Sequence, residues 1–87
     1  MSEDSPLVFP CDIPVKVFGR NDAAFRETVR AIMRTHFADL ADEQIAERTS
    51  RADSYLSLTI VVRAESRDQI DAAYRELTAH DDVMMVL

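Results

Sequence analysis

The sequence predicts an α+β domain: a two-layer, ferredoxin-like β-α-β-β-α-β sandwich whose two helices cover one face of a four-stranded antiparallel sheet. Three observations lead there. Tyr55-Leu-Ser-Leu-Thr-Ile-Val-Val62 alternates Leu56, Leu58, Ile60 and Val62 with Tyr55, Ser57, Thr59 and Val61, the period of a strand with two unlike faces. Phe25, Val29, Ile32, Met33 and Phe37 recur at helical spacing, as do Ile70, Ala73, Tyr74 and Leu77. Each helix therefore has one apolar stripe, which needs a sheet face to cover it.

The elements follow in order. Residues 1–8 are polar and acidic and are expected to fray, leaving 9–87 as a single domain, with Leu7 and Phe9 available to tuck against it. Cys11–Phe18 reads as the first strand, with Ile13, Val15 and Val17 on one face and Pro14, Lys16 and Phe18 on the other. Pro14 has no amide, so it must lack a ladder partner or lie at a bulge. Gly19, the only glycine, ends the strand and points to a positive φ or a close backbone approach. Asn21 or Asp22 then caps a helix running to about Phe37. Ala38–Gln44 is a polar connector with room for a helical turn.

Ile45–Arg51 is the second strand, and its charge suits a sheet edge. Ala52-Asp-Ser54 is the turn, because aspartate tolerates left-handed backbone better than most residues. Tyr55–Ala64 is the third strand. Ser66-Arg-Asp-Gln69 is a capping box that opens the second helix, and Ala79-His-Asp-Asp82 closes it. Val83–Leu87 is the last strand. Each βα-β connection must skip a strand so that the hairpin can pair within the same sheet. The spatial order is then 4-1-3-2, with strands 1 and 3 central.

Composition narrows the functional classes. A chain of 87 residues with a net charge of −6 is a poor match for a sequence-independent hold on nucleic acid. Cys11 is the only cysteine, so no internal disulfide forms. Met1-Ser-Glu-Asp-Ser5 is acidic where a secretory leader would be basic, and no apolar run approaches membrane-spanning length; a cytoplasmic location is expected, with no membrane partner. No metal ligand set or cofactor motif is present: GxSxG, HExxH, CxxC, P-loop and GxGxxG patterns are all missing, and His36 and His80 sit near the ends of different helices. The reading is not an enzyme.

Two surfaces remain. Arg26, Arg30 and Arg34 form a stripe at helical spacing, compensated by Asp68 and Asp71 of the second helix or else free to bind an anion or an acidic partner. If the aliphatic sheet face carries the helices, Lys16, Phe18, Tyr55, Ser57, Thr59, Val61, Arg63, Met84 and Val86 point outward. Exposed apolar patches of this kind mark protein interfaces, and Lys16, Phe18, Tyr55, Thr59, Arg63 and Met84 are its candidate contact residues. The uncharged edge Val83-Met-Met-Val-Leu87 offers a second route, including pairing with another copy as a homodimer.

Phe9-Pro-Cys-Asp-Ile-Pro-Val-Lys-Val-Phe-Gly19, Tyr55–Val62, Tyr74-Arg-Glu-Leu77 and Val83-Met-Met-Val-Leu87 together resemble the YbeD family of small bacterial proteins. The resemblance runs from about Phe9 to the last residue. It implies a ferredoxin-like domain similar to the ACT regulatory domains, which bind small ligands, often amino acids, beside the loop after strand 1. Here that loop is Gly19, Arg20, Asn21 and Asp22, of which only Gly19 lies in a matching motif. Helix 1's N-terminus adds free amides at the same place. The family's neighbourhood implies a regulatory link to lipoate metabolism. One departure stands out: Asp53 lies near a hairpin position where the family commonly has glycine. The expectation is thus a non-catalytic regulatory domain that binds a ligand or a partner. Its alternative is a protein-interaction adaptor working through the open sheet face and the C-terminal edge strand.

Overall fold

A computed structural model describes residues 7–87. The expectation of a frayed start falls mainly on residues 1–6, outside the described residues; Leu7 and Val8 are exposed and in no regular element, while Phe9 packs against the core. The elements are β1 (Cys11–Arg20), α1 (Ala23–His36), a 3-10 turn at Asp42–Gln44, β2 (Ile45–Thr49), β3 (Tyr55–Ala64), α2 (Arg67–Ala79) and β4 (Val83–Val86). The sheet is antiparallel throughout in the order β2-β3-β1-β4, the ferredoxin-like arrangement that the sequence predicts, read from the opposite edge.

The core fills the space between the sheet and the helices. Val15, Val17, Leu56, Leu58, Ile60 and Val62 are at most 1% exposed, and the α1 stripe Phe25, Val29, Ile32, Met33 and Phe37 lies against them with Ala73 and Leu77 of α2. No charged or polar residue is buried among the described residues. Leu40, in the connector read as polar, also enters the core; its amide donates to the Phe37 carbonyl at 3.0 Å, which folds the connector back under the sheet edge.

Local signals set the element ends. The Asp22 carboxylate accepts from the Phe25 amide at 2.8 Å and caps α1. Ser66 Oγ accepts from the Gln69 amide at 3.2 Å and caps α2, but the Gln69 side chain reaches past Ser66 to the Glu65 amide at 2.6 Å, so the reciprocal half of the capping box is displaced by one residue. Asp53 holds the hairpin with φ of 57°, the left-handed geometry expected of the turn.

Two positions on β1 explain themselves through their neighbours. Lys16 exchanges both backbone hydrogen bonds with Leu87, at 3.1 and 2.8 Å, so even-numbered residues of β1 aim their backbone groups toward β4. Pro14 has the same parity but lies beyond the end of β4, so its missing donor falls outside the β1–β4 ladder. Gly19 does not end the strand, which continues to Arg20, and its φ is not positive. Close approach is the reason for glycine here. A Cβ at this position would run into the Phe25 ring and come within 2.8 Å of the Asp82 carbonyl oxygen.

Candidate functional site

With both helices on one side, the other face of the sheet is bare among the described residues. The β1–β3 register places Lys16 opposite Thr59, Phe18 opposite Ser57 and Arg20 opposite Tyr55, so these side chains are direct neighbours on the outer face. Arg63 sits further along, where its guanidinium lies 3.3 Å from the Asp12 carboxylate. Phe18 is half-buried and Tyr55 is 49% exposed. Together with Gly19, Met84 and Met85 they surround a hollow of about 340 Å³. On their other side the same two rings border a smaller hollow of about 160 Å³ with Arg48 and Ser57. The two aromatic residues thus form a divide between an apolar basin and a more polar one. Six expected outer-face residues, Lys16, Phe18, Tyr55, Thr59, Arg63 and Met84, are accordingly on one surface, with Phe18, Tyr55 and Met84 meeting around a single depression.

One expected outward residue is not there. Val86 lies opposite Val17 and packs against the core, whereas Met85 lies opposite Phe18 on the outer face. The cause is a bulge. The register shifts between Phe18 and Gly19, which faces Val83, so Met84 is the extra residue and simple alternation fails across it. Met84 and Met85 both end up exposed.

The loop after β1 is bound into the fold. Asp22 is the helix cap, and Gly19 lies under Phe25. The Asn21 side-chain amide donates to the Asp53 carbonyl at 3.0 Å, its backbone amide donates to the Ser54 carbonyl at 3.1 Å, and its side-chain Oδ1 accepts from the Arg26 guanidinium at 2.9 Å. Asn21 therefore ties the loop to the β2–β3 hairpin. Arg20 is exposed and borders, with Asp22, Asp81, Asp82 and Met84, a hollow of about 100 Å³.

The arginine stripe finds its acids in places other than helix 2. Arg26 donates to both carboxylate oxygens of Glu47 on β2, at 3.0 and 3.1 Å, and Arg30 lies 3.9 Å from the same group. Arg34 pairs with Asp42 of the connector at 2.7 Å. These acids reach the stripe because β2 is the edge strand beside α1 and the connector doubles back at its C-terminus. The hydrogen bond to Glu47 raises the Arg26 pKa above its ordinary value, with further help from the charges of Glu47 and Asp22 against partial burial. His36 Nε2 is 2.7 Å from Glu76 of α2, and His80 Nδ1 accepts from the Asp82 amide at 3.1 Å at the end of α2. The two rings thus serve separate helix ends. Cys11 is half-buried at the start of β1, opposite Ala64.

A family profile described as "Protein of unknown function (DUF493)" matches residues 4–87. This chain belongs to that family. Among curated relatives, the UPF0250 protein NE1487 of Nitrosomonas europaea is 39% identical over 87 residues and the two cover each other completely. A UPF0250 protein of Leptothrix cholodnii is 41% identical over 85 residues, covering 98% of this chain and 93% of its own. UPF0250 is the family also known as YbeD, so the resemblance read from the strand motifs holds. Among solved structures, HP0495 from H. pylori superposes with a TM-score of 0.76 at 13% identity over 99% of this chain and 90% of its own. The uncharacterized protein TM1266 from Thermotoga maritima gives 0.66 at 12% identity over 87% and 92%. At such identities these two speak for the fold alone.

The family membership leaves the outer face to be read from its chemistry. Three of its residues are not among those expected from the sequence. Met85 and Leu87 reach it through the bulge and through pairing with Lys16. Arg48 reaches it because Ile45, the aliphatic residue of β2, turns inward and alternation then sends Ala46 and Arg48 outward. Counting by twos from Ile45 would have found Arg48. No comparable signal in the sequence marks the bulge.

Proposed function

We propose that this chain is a non-catalytic binding domain that captures a protein partner through the open face of its sheet. The supporting observation is the basin between Phe18, Tyr55, Met84 and Met85, where four large apolar side chains surround one depression on a face no helix covers. Leaving Tyr55 and both methionines in water has no folding benefit, and such clusters are the usual anchors of protein interfaces. Affinity capture compares the wild-type chain with a Tyr55→Ala/Met85→Ala variant. A specific partner is expected to be lost from the variant while the thermal melt stays where it was. Retention of that partner by the variant would overturn the reading.

A second reading keeps a small ligand at Gly19, Arg20, Asn21 and Asp22, the regulatory role implied by the ACT-like resemblance, with its link to lipoate metabolism. What favours it is the hollow in which Arg20 faces Asp81 and Asp82, an arrangement that suits a carboxylate and an ammonium carried by one molecule. Titration with free amino acids and with lipoyl compounds, followed by backbone amide shifts, tests it. Movement confined to residues 19–22 and 81–82 supports the ligand site; movement elsewhere removes it.

A further inference from the structure

We infer that the segment bound on the open sheet face is an acidic peptide carrying an aliphatic or aromatic anchor, an inference that rests on the partner-binding reading above. Charge is the argument. The whole chain holds ten Lys and Arg against sixteen Asp and Glu. Among the described residues, the outer face reverses that balance, with Lys16, Arg48 and Arg63 against the side-chain carboxylate of Asp12, which Arg63 already approaches; Arg20, at the end of β1, shares its hollow with Asp22, Asp81 and Asp82. An acidic protein thus displays one basic face, and the apolar basin lies toward the C-terminal end of β1, with Lys16 and Arg48 beside it.

The placement is ordered. Arg48 borders the basin's aromatic divide on the β2 side and Lys16 stands two residues before Phe18, while Arg20, beside Met84 at the far end, already lies among Asp22, Asp81 and Asp82. A peptide lying across the sheet would seat an apolar side chain in the hollow of about 340 Å³ while its acids meet Lys16 and Arg48. The paired methionines suit such an anchor, because their unbranched side chains adapt to irregular apolar shapes. A second copy is disfavoured on this surface, since stacking two identical faces brings like charges together. Nucleic acid is disfavoured as well: a hold on the phosphate backbone needs many Lys and Arg, and this face offers only a few.

The test uses the full chain, isotopically labelled, and three probes: a short peptide of alternating glutamate and leucine, its glutamine–leucine counterpart, and an oligouridylate. The acidic peptide is expected to shift the amides of Phe18, Tyr55, Ser57, Met84 and Met85. Two rim cations lost or unanswered at the interface correspond to an affinity difference of about tenfold between the two peptides, shrinking in high salt. A Lys16→Glu/Arg48→Glu variant should lose that preference, while an Arg67→Glu/Arg75→Glu control on α2 keeps it. Equal affinities for the two peptides, shifts on the helices, or no shift at all would overturn the inference. So would tighter binding of the oligouridylate at the same amides, or concentration-dependent shifts of those amides without any peptide. If partner capture depends on Tyr55 and Met85 but the acidic peptide shows no advantage, this inference alone fails. If capture ignores both residues, the binding reading beneath it fails.

Discussion

β3 carries two regions that could hardly differ more. Leu56, Leu58, Ile60 and Val62 are at most 1% exposed beneath the helices, while Tyr55, Ser57, Thr59 and Val61, interleaved with them, face away from every helix. One strand therefore serves two ends. The inner series holds the fold together and tolerates little change; the outer series is exempt from that demand and is free to carry recognition. Residues adjacent in sequence should respond to substitution in unlike ways.

Substitutions can break this contrast or sharpen it. The largest effect is expected on the inner face. Leu58→Ala removes a fully buried side chain between sheet and helices and should cost about 2–5 kcal/mol. In a domain of this size that lowers the melting temperature by roughly 10 °C or more. Next comes Gly19→Ala, which forces a methyl group against the Phe25 ring and the Asp82 carbonyl; a loss of about 1–3 kcal/mol is expected, read by chemical denaturation. Smaller still is Glu47→Gln, which leaves Arg26 and Arg30 without their shared carboxylate. Its effect should fade in high salt, as an exposed pair's does. The Arg26 pKa is raised in the folded state, so its contribution is present across neutral and mildly alkaline pH and is lost as pH rises through the folded value. Melts of wild type and Glu47→Gln should accordingly differ by a constant amount across neutral and mildly alkaline pH. At the bottom of the scale, Tyr55→Ala should stay within about 0.5 kcal/mol of wild type, because the ring is half exposed and no helix packs on it. A large loss there would mean that the outer face is structural after all.

The inner face was legible in the sequence because burial imposes a period. Val15 and Val17, the Leu56–Val62 series and the two helical stripes all follow from spacing, and so does the strand order once the hairpin must share the sheet. The outer face was legible only where that period ran uninterrupted. Lys16, Phe18, Tyr55, Thr59 and Arg63 were found by alternation, but the bulge at Met84 moved Val86 inward and Met85 outward. A bulge arises from how two strands meet, so neither strand announces it alone. The arginine stripe shows the same limit. Its spacing was clear, yet its acids, Glu47 and Asp42, come from segments whose proximity depends on the edge position of β2 and the fold-back at Leu40. Gly19 lies between the two cases: the need for a glycine was readable, while the reason, the Phe25 ring beneath it, required the packed helix.

The separation of the two faces is tested most directly by amide hydrogen exchange, with and without a bound partner. Slow exchange along Leu56–Val62 should be present already in the free chain, and added protection on binding should fall on Phe18, Tyr55–Ser57 and Met84–Met85, leaving α1 and α2 unchanged. New protection confined to the helices would contradict it.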